Sequence, residues 1–319
     1  MKLFEPLSRP KFAIVREDPE VERHLIERFD VQSVVLVASG GCTLLTLAHA
    51  FPHAQFTAYD FNPLQLQLVR DKITHRADAL RFNVRDASPS GFDQRGEFEG
   101  LFRTLRGFLL EFVITQRALE VFFEGDTPAA ARAELIEGWF RSSYWRDAFR
   151  LAFDHGFLDT MFTPAATQHA EPGSYPRYFQ GVFERTLSRP DAHLNPFLQH
   201  VLLGYYVEPP AWMSPGWEMP EVEFVQGGLP DVPDLARFDL IHVSNIFDWS
   251  SADQIAAWCH HIKNNAKRGA VVLLRQLNNH TDLSAHLRPE FLFDDELGAE
   301  LTERSRIQFY NRITVGVKQ

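Results

Sequence analysis

The chain has 319 residues, 45% hydrophobic and 23% charged, with 18 Gly and 19 Pro. This ordinary globular composition excludes collagen-like, low-complexity and mostly disordered chains. With 32 Lys and Arg against 42 Asp and Glu, the formal net charge is −10, which argues against general nucleic-acid binding and against simple electrostatic docking on anionic lipid.

Cys42 and Cys259 lie far apart and outside any CxxC pair, so neither a disulfide framework nor a cysteine zinc site is expected. The opening residues Met1-Lys2-Leu3-Phe4-Glu5-Pro6 lack the apolar run of a signal peptide. No run of about eighteen apolar residues occurs, and a soluble cytoplasmic protein is expected. Phenylalanine is abundant at 28 residues, which predicts a phenylalanine-rich core.

Residues 1–18 read as an irregular lead-in. Residues 19–29 form the first predicted helix, with Asp18 as N-cap and Pro19 at the first helical position. Ser33-Val34-Val35-Leu36-Val37-Ala38 is a continuous apolar, β-branched run, the pattern of a strand buried on both faces of a parallel sheet. Ser39-Gly40-Gly41-Cys42 breaks it. A helix at 43–50, a strand at 55–60 and a helix at 63–74 follow, and this alternation predicts a parallel α/β sheet.

Between 92 and 220 no buried strand pattern appears. Helical patterns occupy 101–123, 129–140, 145–157, 177–189 and 196–206, and four prolines keep 208–220 mostly non-helical. Strand patterns return at 222–225, 238–243 and 269–274, with helices at 252–264 and 294–304 and final strands at 307–310 and 312–317. The chain therefore divides into residues 1–91, the first part of an α/β domain, residues 92–220, a helical insertion, and residues 221–319, the second part of the same domain. An insertion this long inside one domain points to function.

Glycines directly after the first strand let a ligand approach the backbone. Asp60, about twenty residues on at the tip of the second strand, suits a ribose diol. Both belong to the carboxyl end of the sheet, where open α/β sheets bind ligands. The turn is not GxGxxG, and no GxxxxGK[ST] occurs, so an S-adenosylmethionine site fits best. The competing readings are a plain tight turn at Gly40 and Gly41 and helix capping by Asp60 ahead of Pro63.

Ser244-Asn245-Ile246-Phe247-Asp248-Trp249 puts polar groups at the same crevice. Asn245 and Asp248 either hold the amino-acid part of the cofactor, position an acceptor, or cap the next helix. His49 and His53 have metal-like spacing, but Pro52 stands between them and no third ligand follows, so no metal is expected. The aromatic stretch of Tyr205, Tyr206, Trp212 and Trp217 either lines an acceptor pocket or packs over the core.

With these pieces placed, the chain resembles the S-adenosylmethionine:diacylglycerol 3-amino-3-carboxypropyltransferases, which begin betaine-lipid synthesis in bacteria. The resemblance rests on Glu17-Asp18-Pro19-Glu20-Val21, on Ser39-Gly40-Gly41 and on Asp60-Phe61-Asn62-Pro63-Leu64-Gln65-Leu66. It continues through Asn195-Pro196-Phe197 with Leu203-Gly204, Phe238-Asp239 with the segment from Ser244 to Trp249, and Arg304-Ser305 with Phe309-Tyr310. These segments run in the family's order over nearly the whole chain.

The resemblance implies a Rossmann-like class I S-adenosylmethionine-dependent transferase sheet with a large helical insertion on the acceptor side. It implies that Glu17, Asp18, Ser39, Gly40, Gly41, Asp60, Asn62 and Ser244 bind S-adenosylmethionine, the co-substrate. Glu17 or Asp18 would hold the α-amino group, and Arg16 would face the carboxylate. Asp248 is the expected base and Asn245 an orienting group. The implied reaction is attack by an acceptor on the methionine γ-carbon, releasing methylthioadenosine; the sulfonium activates three carbons, and the one facing the nucleophile in line reacts.

An ordinary methyltransferase and a non-catalytic cofactor-binding protein remain alternatives, because fold does not fix function. Expected partners are a small-molecule or lipid acceptor, no nucleic acid, and at most a peripheral membrane contact through the 101–123 stretch or the loop carrying Trp212 and Trp217.

Overall fold

The computed structural model describes residues 9–162 and 164–319, so the first eight residues of the lead-in lie outside the described residues. Helix α1 (Glu20–Phe29) starts one residue later than expected, with Pro19 rather than Asp18 at its N-cap. Strand β1 (Ser33–Val37), helix α2 (Cys42–Ala50), strand β2 (Gln55–Asp60) and helix α3 (Pro63–Thr74) fall where the apolar runs placed them.

The insertion then supplies α4 (Glu97–Phe112), α5 (Gln116–Phe123), α6 (Ala129–Arg141), α7 (Ser143–Ala152), α8 (His155–Phe162), α9 (Tyr175–Leu187) and α10 (Pro196–Leu202). The chain returns to the sheet through β3 (Val222–Gln226), β4 (Leu240–Ser244), α11 (Ala252–Asn265), β5 (Val271–Gln276), β6 (Phe291–Phe293), α12 (Asp295–Arg304) and β7 (Arg312–Lys318).

The strands form one sheet in the order β3-β2-β1-β4-β5-β7-β6. Strands β1 to β5 pair in parallel, and β7 runs antiparallel to both β5 and β6. Strands β1, β2, β4 and β5 are buried along nearly their whole length because both of their faces are covered. Val34 and Leu36 pack on one face with Leu25 of α1, Leu44 of α2 and Leu301 of α12. Val35, Ile241 and Val272 pack on the other with Ile255 and Ile262 of α11. The order reverses direction at β1 and β4, where doubly wound sheets open a crevice beyond the carboxyl ends of their strands. The turns after β1, β2, β4 and β5 all reach that edge.

An isolated parallel bridge between Val84 and Tyr206 closes the neck of the insertion. Its two hydrogen bonds run from Arg85 N to Tyr206 O and from Tyr206 N to Asn83 O, each 2.9 Å. The insertion has a core of its own, and the phenylalanine surplus goes there: Phe98, Phe102, Phe122, Phe149, Phe153, Phe179 and Phe183 are all buried in it. The expected helix at 101–123 is two helices, because the chain breaks after Phe112 and restarts at Thr115, whose side chain accepts from Ala118 N at 3.1 Å. The expected helix at 145–157 likewise divides into α7 and α8.

The expected strand at 307–310 is a loop. Ile307 and Phe309 enter the core of the insertion instead of the sheet, and side chains satisfy the backbone there. Arg306 N donates to Asp18 Oδ2 at 2.7 Å, Arg306 O accepts from Asn195 Nδ2 at 2.6 Å, and Phe309 O accepts from the Tyr178 hydroxyl. Strand β6, which was not expected, has three residues, too few for a periodic signal. Trp212 packs on Phe82 at 5.1 Å and beside Leu45 and Leu68, and Trp217 packs on His49, so the two tryptophans cover α2 and α3, while Tyr205 packs against the core of the insertion and the Tyr206 ring lies 5.5 Å from that of His200. Among the described residues no helix is long and apolar enough to cross a membrane.

The lead-in is pressed against the turn after β1. A Cβ on Gly40 would lie 2.6 Å from the Ala13 carbonyl oxygen. Buried Lys72 donates to Ala13 O at 2.6 Å and Gly40 O at 2.9 Å, and pairs with Asp93 at 2.6 Å. Burial penalises its ammonium, but Asp93, Cys42 and Glu99 together more than offset that penalty and its pKa is raised. Gly40→Ala is expected to destabilise the protein by about 1–3 kcal/mol through overpacking, read as a lower urea midpoint at unchanged slope. An unchanged midpoint would mean that the lead-in moves aside without penalty.

Candidate functional site

Ser39 (φ 42°) and Gly41 (φ 79°) are in the left-handed region, which turns the backbone sharply after β1. Ser39 N donates to Asp60 Oδ2 at 3.1 Å, and Asn62 N donates to Asp60 Oδ1 at 2.9 Å. Asp60 therefore clasps the glycine turn to the tip of β2. Burial pushes its pKa up to about 6, against the pull of the two backbone donors. At neutral pH it is mainly ionised, and each oxygen retains a lone pair that can accept from a hydroxyl. Beside it, Phe61 is 48% exposed, its ring 6.2 Å from that of Trp258. The helix cap is Asn62, not Asp60: its Oδ1 accepts from Leu64 N at 2.9 Å with Pro63 at the first helical position.

Ser244 ends β4 at φ 60°, after the register with β5 shifts between His242 and Ser244. A 3-10 turn at Ile246–Trp249 follows and places Asp248, which is 3% exposed. Its Oδ2 accepts from Leu277 N at 2.7 Å and Asn245 Nδ2 at 3.3 Å, and its Oδ1 accepts from Asn279 Nδ2 at 2.8 Å. Burial raises its pKa to about 7, opposed by those three donors. A carboxyl group that titrates near neutrality can take up and release a proton at working pH.

Tyr175 and Tyr178 of α9 and Tyr310 lie close enough to Asp248 for its charge to add to the upward shift that burial imposes on their hydroxyls. The insertion closes this side. The Trp249 ring meets Phe162 of α8 at 5.1 Å and Phe12 at 6.2 Å, and Asn278 Nδ2 donates to Ser174 Oγ at 2.8 Å.

Beneath α1, Arg275 Nη1 lies 3.0 Å from Glu17 Oε2, 2.8 Å from Glu22 Oε1 and 2.8 Å from His242 Nε2. All four side chains are buried. Ser244 Oγ donates to Glu17 Oε1, which the Tyr310 hydroxyl also approaches at 3.5 Å. Burial works to raise the Glu17 pKa, but Arg275 and His242 more than offset it and hold it at about 2. Glu17, Glu22 and His242 present ligand atoms within 4.8 Å of one another. Arg275 Nη1 lies among them, so a guanidinium already supplies positive charge at the centre of this cage.

Asp18 accepts from Arg306 N at 2.7 Å and Nε at 3.0 Å. It lines a groove of about 280 Å³ beside α1 and α12 together with Arg23, His24, Arg304 and Arg306. Arg16 pairs with Glu99 at 3.3 Å and lies over the Phe102 ring at 4.6 Å.

The structure thus brings Ser39, Gly40, Gly41, Asp60, Ser244, Asn245 and Asp248 to the carboxyl edge of the sheet, with Glu17 against Ser244. It gives Asp18 and Asn62 structural tasks as the clamp of Arg306 and the cap of α3. Sequence reasoning passed over Glu22, His242, Arg275 and Asn279. His242 and Arg275 carried a signal, since each is a polar side chain inside an otherwise aliphatic strand run. No pattern marks Asn279. No family model, curated protein or solved structure matches the chain.

Proposed function

We propose that the protein is an S-adenosylmethionine-dependent transferase that moves a 3-amino-3-carboxypropyl group to a hydroxyl acceptor. The carrying observation is the convergence, at one sheet edge, of the Asp60 clasp on the glycine turn with the buried carboxyl of Asp248. The sheet order, which over its first five strands is that of doubly wound nucleotide-binding sheets, supports the class I transferase reading. In this reading Asp60 accepts from the ribose hydroxyls and exposed Phe61 offers a face to the adenine.

The acceptor oxygen forms a bond to the methionine γ-carbon as the C–S bond breaks. The electron pair stays on sulfur, so the leaving group is neutral methylthioadenosine. The acceptor proton passes to Asp248 and later to solvent. The acceptor is diacylglycerol or a smaller alcohol. A lipid acceptor would be met from the cytoplasm at the membrane surface, for which Phe112, half exposed and 5.3 Å from Tyr144, is better placed than buried Trp212.

The test is incubation with labelled S-adenosylmethionine and either diacylglycerol vesicles or a cell extract, followed by mass spectrometry. Methylthioadenosine with a carboxypropyl-labelled product supports the proposal. S-adenosylhomocysteine would make the protein a methyltransferase, and binding without turnover would make it a cofactor-binding protein. Asp60→Ala removes two charge-assisted hydrogen bonds to the ribose, each worth about 1.5–3 kcal/mol at most. Calorimetry is expected to show cofactor binding weakened by at least about tenfold, and unchanged affinity removes Asp60 from the site.

A further inference from the structure

We propose that Asn279 is a positioning residue that orients Asp248 so that Oδ1 is the atom that takes the acceptor's proton. This rests on the transferase reading of the site. The two carboxyl oxygens of Asp248 are not equivalent: Oδ2 has two donors, Leu277 N and Asn245 Nδ2, whereas Oδ1 has one, Asn279 Nδ2 at 2.8 Å. An ionised carboxylate oxygen accepts about two hydrogen bonds in its plane. Oδ2 is filled, and Oδ1 keeps one position.

Asn279 is itself locked. It is 1% exposed, and its Oδ1 accepts from Thr281 N at 2.9 Å, which fixes which end of the amide faces Asp248. Its backbone carbonyl accepts from Gln276 Nε2 at 3.2 Å and Asn311 Nδ2 at 3.1 Å. The amide is thus fixed at both ends. It cannot take a proton, so it donates to Asp248 whatever the charge of the carboxyl. The titratable groups that face Asp248 are the hydroxyls of Tyr175 and Tyr178 from α9 and of Tyr310 from the C-terminal segment.

In the proposed step the acceptor O–H bond breaks, its hydrogen joins Oδ1, and its oxygen forms the bond to the γ-carbon. Asp248 becomes neutral as the C–S bonding pair, staying on sulfur, converts the sulfonium into the neutral thioether, so charge and atoms balance. Asn279 Nδ2 holds Oδ1 in place before the transfer and remains bound to it afterwards.

The experiment is an NMR titration of the Asp248 side-chain carboxyl in the full-length protein and in Asn279→Ala, Asn279→Ser and Asn311→Ala variants, with pH–rate profiles of the same proteins. Folding is checked first by circular dichroism. Removing a donor to the ionised form is expected to raise the Asp248 midpoint by about one pH unit. The acid limb of the rate profile should move with it in Asn279→Ala and move less in Asn279→Ser and in Asn311→Ala, where Gln276 still holds the Asn279 carbonyl. Activity that falls in Asn279→Ala while the Asp248 midpoint stays put overturns the proposal, as does an equal shift in Asn311→Ala. If Asn279→Ala does not fold, Asn279→Ser carries the same test. A shifted midpoint in a protein that transfers nothing to any acceptor keeps Asn279 as the residue that orients Asp248 and defeats the transferase reading instead.

Discussion

Arg275→Met is expected to destabilise the protein by about 3–5 kcal/mol, a large share of the about 5–15 kcal/mol that holds a domain folded. The substitution leaves Glu17 and Glu22 buried together with no guanidinium between them, and both are fully enclosed beneath α1. In the parent, Arg275 and His242 overcome burial and hold both carboxyls below their ordinary range, Glu17 at about 2. A depressed pKa in the folded state contributes stability above the unfolded-state value. That contribution is lost as pH falls through the folded value, here between about 4.5 and about 2.

Without Arg275 the sign reverses. Burial then pushes both carboxyls up, and Arg275→Met should regain stability as pH is lowered from 7 to 5. Thermal unfolding across that range reads the reversal. The triple variant Arg275→Met, Glu17→Gln, Glu22→Gln removes the guanidinium and both carboxylates, leaves His242 to be kept neutral by burial, and should recover most of the loss, because an uncompensated buried charge is what destabilises the single variant. An Arg275→Met protein with parental stability at neutral pH would show that water reaches the cage.

The pattern of residues that was legible follows from chain geometry. Strands β1, β2, β4 and β5 are buried on both faces, so their positions appear as unbroken apolar runs, and a run tells where a strand is without telling which face each residue serves. Along β4, Leu240, His242 and Ser244 share the face under α1 while Ile241 and Val243 face α11. Arg275 on β5 points the same way as His242. Only the pairing of β4 with β5 brings His242 and Arg275 together, and Glu22 joins them from α1, more than two hundred residues away in sequence.

The site was legible where its residues follow strands directly. Asp60, the glycine turn and the segment from Ser244 to Asp248 lie at strand ends, and parallel strands put their ends on one edge. Asn279 lies in an irregular loop whose path depends on the Asn311 side chain, and local sequence carries no record of that. The 307–310 stretch alternated like a strand because alternate residues are indeed buried, but in the core of the insertion. Alternation reports burial on one side of an extended chain and is silent about what lies on that side.

Asp248→Asn is expected to lower the transfer rate by about 10²–10⁴-fold, the range of general-base catalysis, while leaving S-adenosylmethionine affinity near that of the parent. The amide fills the same space but takes no proton, and in the proposed reaction the cofactor's adenosine is held at Asp60. Release of methylthioadenosine at saturating cofactor measures the loss, and calorimetry measures the binding.

The same substitution has a second consequence that separates a base from a structural carboxyl. Burial lifts the Asp248 pKa from 3.8 to about 7. A group raised in the folded state is protonated there while the unfolded chain has already released its proton. Stability is therefore lost as pH rises from about 4 to about 7, by at most about 4 kcal/mol at 1.36 kcal/mol per unit.

Asp248→Asn removes that loss, but it turns an amide toward Leu277 N and Asn279 Nδ2, both of which donate to Asp248 in the parent. One of those donors loses its acceptor, which destabilises by about 1–3 kcal/mol at every pH. The variant should therefore be less stable than the parent at pH 5, and the gap should close or reverse by pH 8. A gap of constant size would mean that Asp248 keeps an ordinary pKa in the folded protein. It would then be ionised throughout the working range and too weak a base for an alcohol, and the catalytic role would have to pass to another group at this edge of the sheet.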